Sequence, residues 1–163
     1  MKNKSSDLRR TLIATIYSLL GRKDYTKKQI LKKLQTKFAE ASLALINEVI
    51  EELTAKNIIS DQRFLESYVR SRISAGWGEN KIKLKLREKG IDKELINDNL
   101  VLFDLINFED IADYCKRKYK IDDIDFTKIE YAEKTKLKSK IMNHLAQKGF
   151  NYDQIKKILE LVL

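Results

Sequence analysis

Residues 83–100 read Lys83-Leu84-Lys85-Leu86-Arg87-Glu88-Lys89-Gly90-Ile91-Asp92-Lys93-Glu94-Leu95-Ile96-Asn97-Asp98-Asn99-Leu100, and the chain repeats this text near its C-terminus. There it runs Met142-Asn143-His144-Leu145-Ala146-Gln147-Lys148-Gly149-Phe150-Asn151-Tyr152-Asp153-Gln154-Ile155-Lys156-Lys157-Ile158-Leu159. A shift of 59 residues takes Ile82 to Ile141, Leu86 to Leu145, Gly90 to Gly149, Ile91 to Phe150, Ile96 to Ile155 and Leu100 to Leu159. A weaker echo lies upstream, where Leu45-Ile46-Asn47-Glu48 matches Leu95-Ile96-Asn97-Asp98 at a shift of 50. Repetition at a period of about 50 is the mark of stacked helical units, which offer surface to other macromolecules more often than they enclose a catalytic pocket.

Helical spacing of apolar residues fills in the units. In the first, Leu8, Leu12, Ile16, Leu19 and Leu20 form one stripe, with Asp7 as the expected cap and Gly21 and Asp24 as the stop. Thr26 and Gln29 have capping-box spacing, so a second helix is expected from Lys27, carrying Ile30, Leu31, Leu34 and Phe38. A third holds Leu43, Leu45, Ile46, Val49, Ile50 and Leu53 and ends near Asn57, which tolerates the left-handed conformation.

The second unit opens at Ser60-Asp61 with Phe64, Leu65, Tyr68, Val69 and Ile73, turns at Gly76-Trp77-Gly78, and closes with helices ending at Gly90 and running from Lys93 to Leu105. The third opens at Asn107, with Phe108, Ile111, Ala112, Cys115 and Tyr119 on one face; its last two helices end at Lys148 and span Tyr152 to Leu161. Ser42, Asp92 and Asn151 fall at one equivalent position, and all three are preferred N-cap types. The expected fold is all-α, three tandem three-helix repeats over 1–58, 59–106 and 107–163.

One segment argues against a helix. Lys81-Ile82-Lys83-Leu84-Lys85-Leu86-Arg87 alternates basic and apolar residues, a strand pattern. The repeat decides for helix, because Ile82 and Leu86 are four apart and the matching upstream text has helical spacing. Leu84 then falls outside the shared stripe, as a surface residue or a partner contact.

Composition agrees. Proline is absent from 163 residues, where average usage gives about eight. Uninterrupted helices benefit, although a codon bias toward Lys, Ile and Asn contributes. The single cysteine, Cys115, cannot form an internal disulfide, which fits a reducing cytoplasm. No apolar run is long enough to span a membrane. The net charge of +9 is uneven: residues 1–58 carry 12 basic and 6 acidic side chains, residues 59–106 carry 9 and 8, and residues 107–163 carry 12 and 10. Such a balance suits nucleic acid or an acidic partner, or is simply a lysine-rich solvated surface.

Catalytic constellations are not legible, and neither a cofactor nor a metal is expected. One histidine, His144, rules out a His-based metal cluster and reads as surface or helix packing. Cys115 reads as a small core residue. Asp122-Asp123-Ile124-Asp125 lacks calcium-loop spacing and reads as an acidic loop before a helix. Trp77, between two glycines, either plugs a helix junction, as Tyr25 would in the first unit, or stacks on a partner. Arg63, Arg70 and Arg72 on one helix and Lys81, Lys83, Lys85, Arg87 and Lys89 on the next are the candidate contacts to phosphates or acidic groups; a solvated face is the alternative.

The middle unit resembles a known family. Asp61-Gln62-Arg63-Phe64-Leu65-Glu66-Ser67-Tyr68-Val69-Arg70-Ser71-Arg72, then Gly76-Trp77-Gly78, Ile82, Leu86 and Lys89-Gly90-Ile91, is similar to the central signature of the RecX family of RecA recombinase regulators. Leu53-Thr54-Ala55-Lys56-Asn57-Ile58-Ile59-Ser60 resembles the entry to that signature, and Leu145-Ala146-Gln147-Lys148-Gly149-Phe150 resembles the family's C-terminal repeat. Glu79 stands where the family often has proline, and the first repeat has two extra residues between its second and third helices.

The resemblance implies three three-helix repeats in a curved, elongated molecule. It also implies docking in the groove of RecA–DNA filaments, and control of their assembly in homologous recombination, DNA repair and the SOS response, most often by inhibition. It supplies no catalytic residues. A cytoplasmic monomer that contacts RecA filaments, with single- or double-stranded DNA as a further partner, is the resulting expectation. The alternatives are a stand-alone DNA-binding helical module and a protein-only scaffold.

Overall fold

Side-chain caps begin several helices in the computed structural model, which describes the backbone from Lys2 to Leu163 and the side chains from Ser5 onward. Helix α1 spans Lys2–Leu20. It runs past Asp7, so the expected cap is an interior residue whose carbonyl accepts from the Thr11 hydroxyl at 2.9 Å. No proline or glycine precedes Asp7, so nothing stops the helix there. Helix α2, Lys27–Lys37, begins with the expected capping box: Gln29 N–H donates to Thr26 Oγ1, and Thr26 N–H donates to Gln29 Oε1, each at 3.1 Å. Helix α3, Leu43–Ala55, starts at Ser42, whose Oγ accepts from Leu45 N–H at 3.2 Å. It ends where Asn57 takes a positive φ of 55°.

Helix α4 spans Asp61–Ser74, and Ser60 Oγ accepts from Arg63 N–H at 3.1 Å. Helix α5 spans Glu79–Glu88, so the alternating segment is helical, with Ile82 and Leu86 fully buried and Leu84 exposed. The helix expected from Lys93 to Leu105 is instead two pieces. Helix α6 covers only Lys93–Asn97, and Leu100–Leu105 form a 3₁₀ segment. Between them lie Asp98 and Asn99, following Asn97; short polar side chains of this kind compete with the backbone for helical hydrogen bonds. The tighter 3₁₀ period places residues three apart on one edge, and here Phe103 and Ile106 are both buried.

Helix α7, Phe108–Tyr119, is capped by Asn107, whose Oδ1 accepts from Glu109 N–H at 2.9 Å. A 3₁₀ turn at Ile121–Asp123 leads toward α8, Tyr131–Lys148, and α9, Tyr152–Val162. Of the three equivalent caps, Ser42 and Asn151 accept backbone N–H groups, whereas Asp92 has the extended cap conformation without a side-chain hydrogen bond.

The chain forms two compact units, residues 1–68 with 86–98, and residues 69–85 with 99–163. In the first, α1 and α2 each pack on α3. Leu12, Ile16, Ile30, Leu34, Ile46, Val49 and Leu53 make its core. In the second, α7 and α8 pack on α9 around buried Ala112, Cys115, Ile141, Leu145, Ile155 and Ile158. Burial also pushes the Cys115 thiol up, as suits an inert core residue. Among the described residues there is no strand, and the architecture is an all-α repeat array.

Candidate partner-binding surface

The candidate cations are positioned by two junctions built alike. In the second unit, Gly76 (φ 72°) ends the turn after α4, and the first residues of α5 meet the last turn of α8. Gly78 N–H donates to the Lys148 carbonyl at 2.8 Å, and Asn80 N–H donates to the Gly149 carbonyl at 3.0 Å. A Cβ on Gly78 would lie 2.4 Å from Gly149 C and Phe150 N. Gly149 itself has φ 94°, and a Cβ there would meet Lys81 Cβ at 2.3 Å. Only glycine fits either position.

The equivalent junction in the first unit brings the start of α2 to the turn after α5. Thr26, a fully buried polar residue, donates its hydroxyl to the Lys89 carbonyl at 2.7 Å. Lys27 N–H donates to Asp61 Oδ1 at 2.9 Å. Burial pushes the Asp61 carboxyl up, and the Lys27 N–H opposes that shift. Gly90 (φ 90°) leaves room for Lys28, whose Cβ would lie 2.6 Å from a Cβ added there. The repeated Lys-Gly pair is thus the receiving half of a repeated joint.

An aromatic residue stands beside each junction. Trp77 is half-buried, with the Arg72 guanidinium carbon 5.1 Å and Lys81 Nζ 4.5 Å from its ring centre. Lys81 Nζ also donates to the Gln147 carbonyl at 3.3 Å. In the first unit, Tyr25 packs against the core and carries Lys23 Nζ at 4.9 Å and Lys33 Nζ at 5.3 Å.

The other sequence-predicted contacts are distributed between the units. In the second, Arg70 is exposed, Lys85 is half-buried, and Lys83 pairs with Glu79 while lying 5.3 Å from the Phe103 ring centre. In the first, Arg87 is exposed, and Lys89 Nζ sits 5.4 Å from the Tyr68 ring centre. Arg63 is held in place: Nη2 donates to the Ile58 carbonyl at 2.8 Å, Nη1 to the Asn57 carbonyl at 3.4 Å, and Nε to Asp24 at 3.4 Å. Arg72, Trp77 and Lys81 are therefore brought together, whereas Arg63 closes the end of α3.

The structure also shows a basic groove that the residue-by-residue reading passed over, between α1 and α2. Its only sequence signal is the excess of basic residues in positions 1–58. His144 is half-buried against Tyr114, at 6.0 Å between ring centres, and near Lys118. Burial first, then Lys118 and Lys148, hold its pKa below the ordinary 6.5. Asp125 accepts from the Thr127 hydroxyl at 2.6 Å and pairs with Lys128 at 2.8 Å. Among the described residues, no three His, Cys, Asp or Glu side chains gather as a metal site, and no helix is long and apolar enough to cross a membrane.

Comparison with known proteins follows the repeats. Residues 60–100 match the second three-helix domain of RecX, and residues 127–159 match its third. A regulatory protein RecX of Haemophilus influenzae (strain PittEE) is 30% identical over 146 residues, covering 88% of this chain and 90% of that protein. One from Clostridioides difficile (strain 630) is 30% identical over 148 residues, covering 90% of this chain but 65% of that longer protein. The crystal structure of RecX from Lactobacillus salivarius superposes with a TM-score of 0.77 at 26% identity, over 96% of this chain and 97% of that one. With the two domain matches in order and the Haemophilus likeness sustained over about nine-tenths of both chains, this chain belongs to the RecX family.

Proposed function

We propose that the chain is a non-enzymatic regulator of the RecA recombinase, acting as a cytoplasmic monomer. It binds in the groove of RecA–DNA filaments and inhibits their assembly, ATP hydrolysis and strand exchange. Three tandem repeats, 1–58, 59–106 and 107–163, present the contact surface. Arg63, Arg70, Arg72, Lys81, Lys83, Lys85, Arg87 and Lys89 supply its cations. The observation that carries this reading is the likeness, along nearly the whole chain, to proteins described as regulatory. Many weak contacts to successive filament subunits would add through effective concentration, so no single deep site is required.

The test is titration of the protein into RecA filaments on single-stranded DNA, with ATP hydrolysis as the readout and the same DNA without RecA beside it. Inhibition by the wild type is expected. A folded variant with Arg70, Arg72, Lys81 and Lys85 replaced by neutral residues should inhibit at least tenfold less well. Unchanged inhibition by that variant would refute the contact assignment. Absence of any effect of the wild type on filaments would refute the role. Tight sequence-selective binding to DNA without RecA would replace it by a stand-alone DNA-binding module.

A further inference from the structure

The second unit has a cavity of about 490 Å³ that the recombinase role does not use. It lies where α7 and α8, both packed on α9, meet the Gly76-Trp77 turn. Its walls are apolar: Ile73, Trp77, Ile106, Ile111, Leu145 and Phe150. A mostly apolar hollow of this size with a few convergent polar groups is the usual form of a small-molecule site.

The register of two helices sets the polar groups. Lys140 Nζ on α8 lies 5.8 Å from the ring centre of Tyr119 on α7, and the His144 and Tyr114 ring centres are 6.0 Å apart. Numbers therefore rise along α8 as they fall along α7, and the two helices run antiparallel. Lys148 follows His144 by four residues and Asp110 precedes Tyr114 by four, so each lies one turn further on the same helix face. That stagger sets Lys148 opposite Asp110, and both line the cavity.

These are the only two charges on the lining at neutral pH. His144 also lines it, but burial, Lys118 and Lys148 hold its pKa below the ordinary 6.5 and keep it neutral. Lys118 stands behind the lining, donating to the Tyr114 hydroxyl at 3.3 Å and lying 3.4 Å from His144 Nδ1. Lys148 is half-buried and Asp110 exposed, and neither is in an ion pair among the described residues. The half-buried ammonium thus lacks the charge-assisted hydrogen bonds such groups ordinarily make.

Two opposite, unpaired charges across an apolar hollow narrow the class of ligand. A simple anion would meet Asp110 and a simple cation would meet Lys148, and like charges reject each of them. A peptide terminus carries only one of the two charges beside its side chain, because its other backbone group is an amide. An ammonium and a carboxylate on one carbon, next to an apolar side chain, belong to a free amino acid.

We propose that this cavity binds a free α-amino acid with a large apolar side chain. The carboxylate pairs with Lys148, the ammonium with Asp110, and the side chain packs against Trp77, Ile111 and Phe150. This goes beyond the filament-regulating role, and the two fail separately because the test contains no RecA.

The cavity carries its own reporters, since the chain has one tryptophan and one histidine and both line it. The test titrates L-phenylalanine into the full chain and follows Trp77 fluorescence and the His144 Hε1 resonance. Both should saturate with a common midpoint. 3-Phenylpropionate lacks the ammonium, phenethylamine lacks the carboxylate and glycine lacks the side chain; each should need at least tenfold higher concentration. Lys148→Met should weaken phenylalanine at least tenfold without weakening phenethylamine. Asp110→Asn should weaken phenylalanine at least fivefold without weakening 3-phenylpropionate. Lys157→Met, exposed on α9 outside the cavity, should bind as wild type does. Circular dichroism checks that each variant is folded, and the exposed Asp110 keeps the test valid should Lys148→Met unfold. Absence of a saturable response to phenylalanine, equal midpoints for phenylalanine and 3-phenylpropionate, or unchanged phenylalanine binding in the folded Asp110→Asn variant would each overturn the proposal.

Discussion

The backbone N–H of Gly78 donates to the carbonyl of Lys148 at 2.8 Å, joining the start of α5 to the end of α8 main chain to main chain. A side chain on Gly78 would have to occupy space 2.4 Å from Gly149 C. Gly78→Ala must therefore push the two segments apart and weaken this bond together with that of Asn80. Overpacking and two weakened hydrogen bonds together cost about 3 kcal/mol or more. Gly21 is the internal comparison, since a Cβ there would meet only its own helix, at 3.4 Å from the Tyr17 carbonyl oxygen. Gly21→Ala should change stability by less than about 1 kcal/mol. Urea unfolding of both variants checks the contrast, and equal midpoints would show that the close approach carries no energy.

Arg63 is a stability residue as well as a candidate contact. Its guanidinium takes up the Asn57 and Ile58 carbonyls beyond the end of α3. The side chain is about half exposed, so Arg63→Met should cost about 1 kcal/mol, below the full value of charge-assisted hydrogen bonds. Arg63→Lys should recover little, because an ammonium cannot span both carbonyls as the planar fork does. A melting temperature for Arg63→Met matching wild type would contradict this role.

His144 gives the protein a pH dependence of defined sign. Its folded pKa lies below the ordinary 6.5, chiefly through burial. The unfolded chain therefore binds the proton more readily. This contribution to stability is fully present above pH 6.5 and is lost as the pH falls through the folded pKa. Because the chain has one histidine, its Hε1 resonance titrates alone in a proton NMR spectrum, and a midpoint under 6.5 is expected. In His144→Gln the corresponding drop in melting temperature between pH 7.5 and pH 5 should shrink. A midpoint above 6.5 would reverse the sign.

Lys120 adopts φ 52°, ending α7 in the left-handed region without being glycine. That conformation costs an ordinary residue about 1–2 kcal/mol. Lys120→Gly should relieve the strain, offset in part by the greater entropy of the unfolded chain, and raise the melting temperature by about 1–3 °C. Asn57, also at positive φ (55°), should gain less from the same change, because asparagine tolerates this region. Scanning calorimetry of the two glycine variants measures the difference.

The helical repeats were readable along the chain because their determinants are local. Thr26 with Gln29, Ser42 and Asn151 announce their caps within three residues, and the spacing of Ile82 and Leu86 overrode a misleading alternation. Misreadings were local too: Asp7 is a competent cap with no reason to act as one, and Asn97-Asp98-Asn99 weakened a helix that apolar spacing alone had extended to Leu105.

The repetition of Lys89-Gly90 at Lys148-Gly149 marked these positions as special without saying what they touch. Their use depends on groups far apart in the chain, Thr26 on Lys89 and Gly78 on Lys148, and a pairing at that separation leaves no periodic trace. The same holds for the cations. Charge counts put the basic excess in the first 58 residues, since composition is additive along the chain. Which of those charges meet, and whether a carboxylate neutralises them, is a question of distance. The packing of α1 and α2 on α3 answers it by collecting Arg22, Lys23, Lys32, Lys33 and Lys37 along one groove, while Asp24 pairs with Arg63.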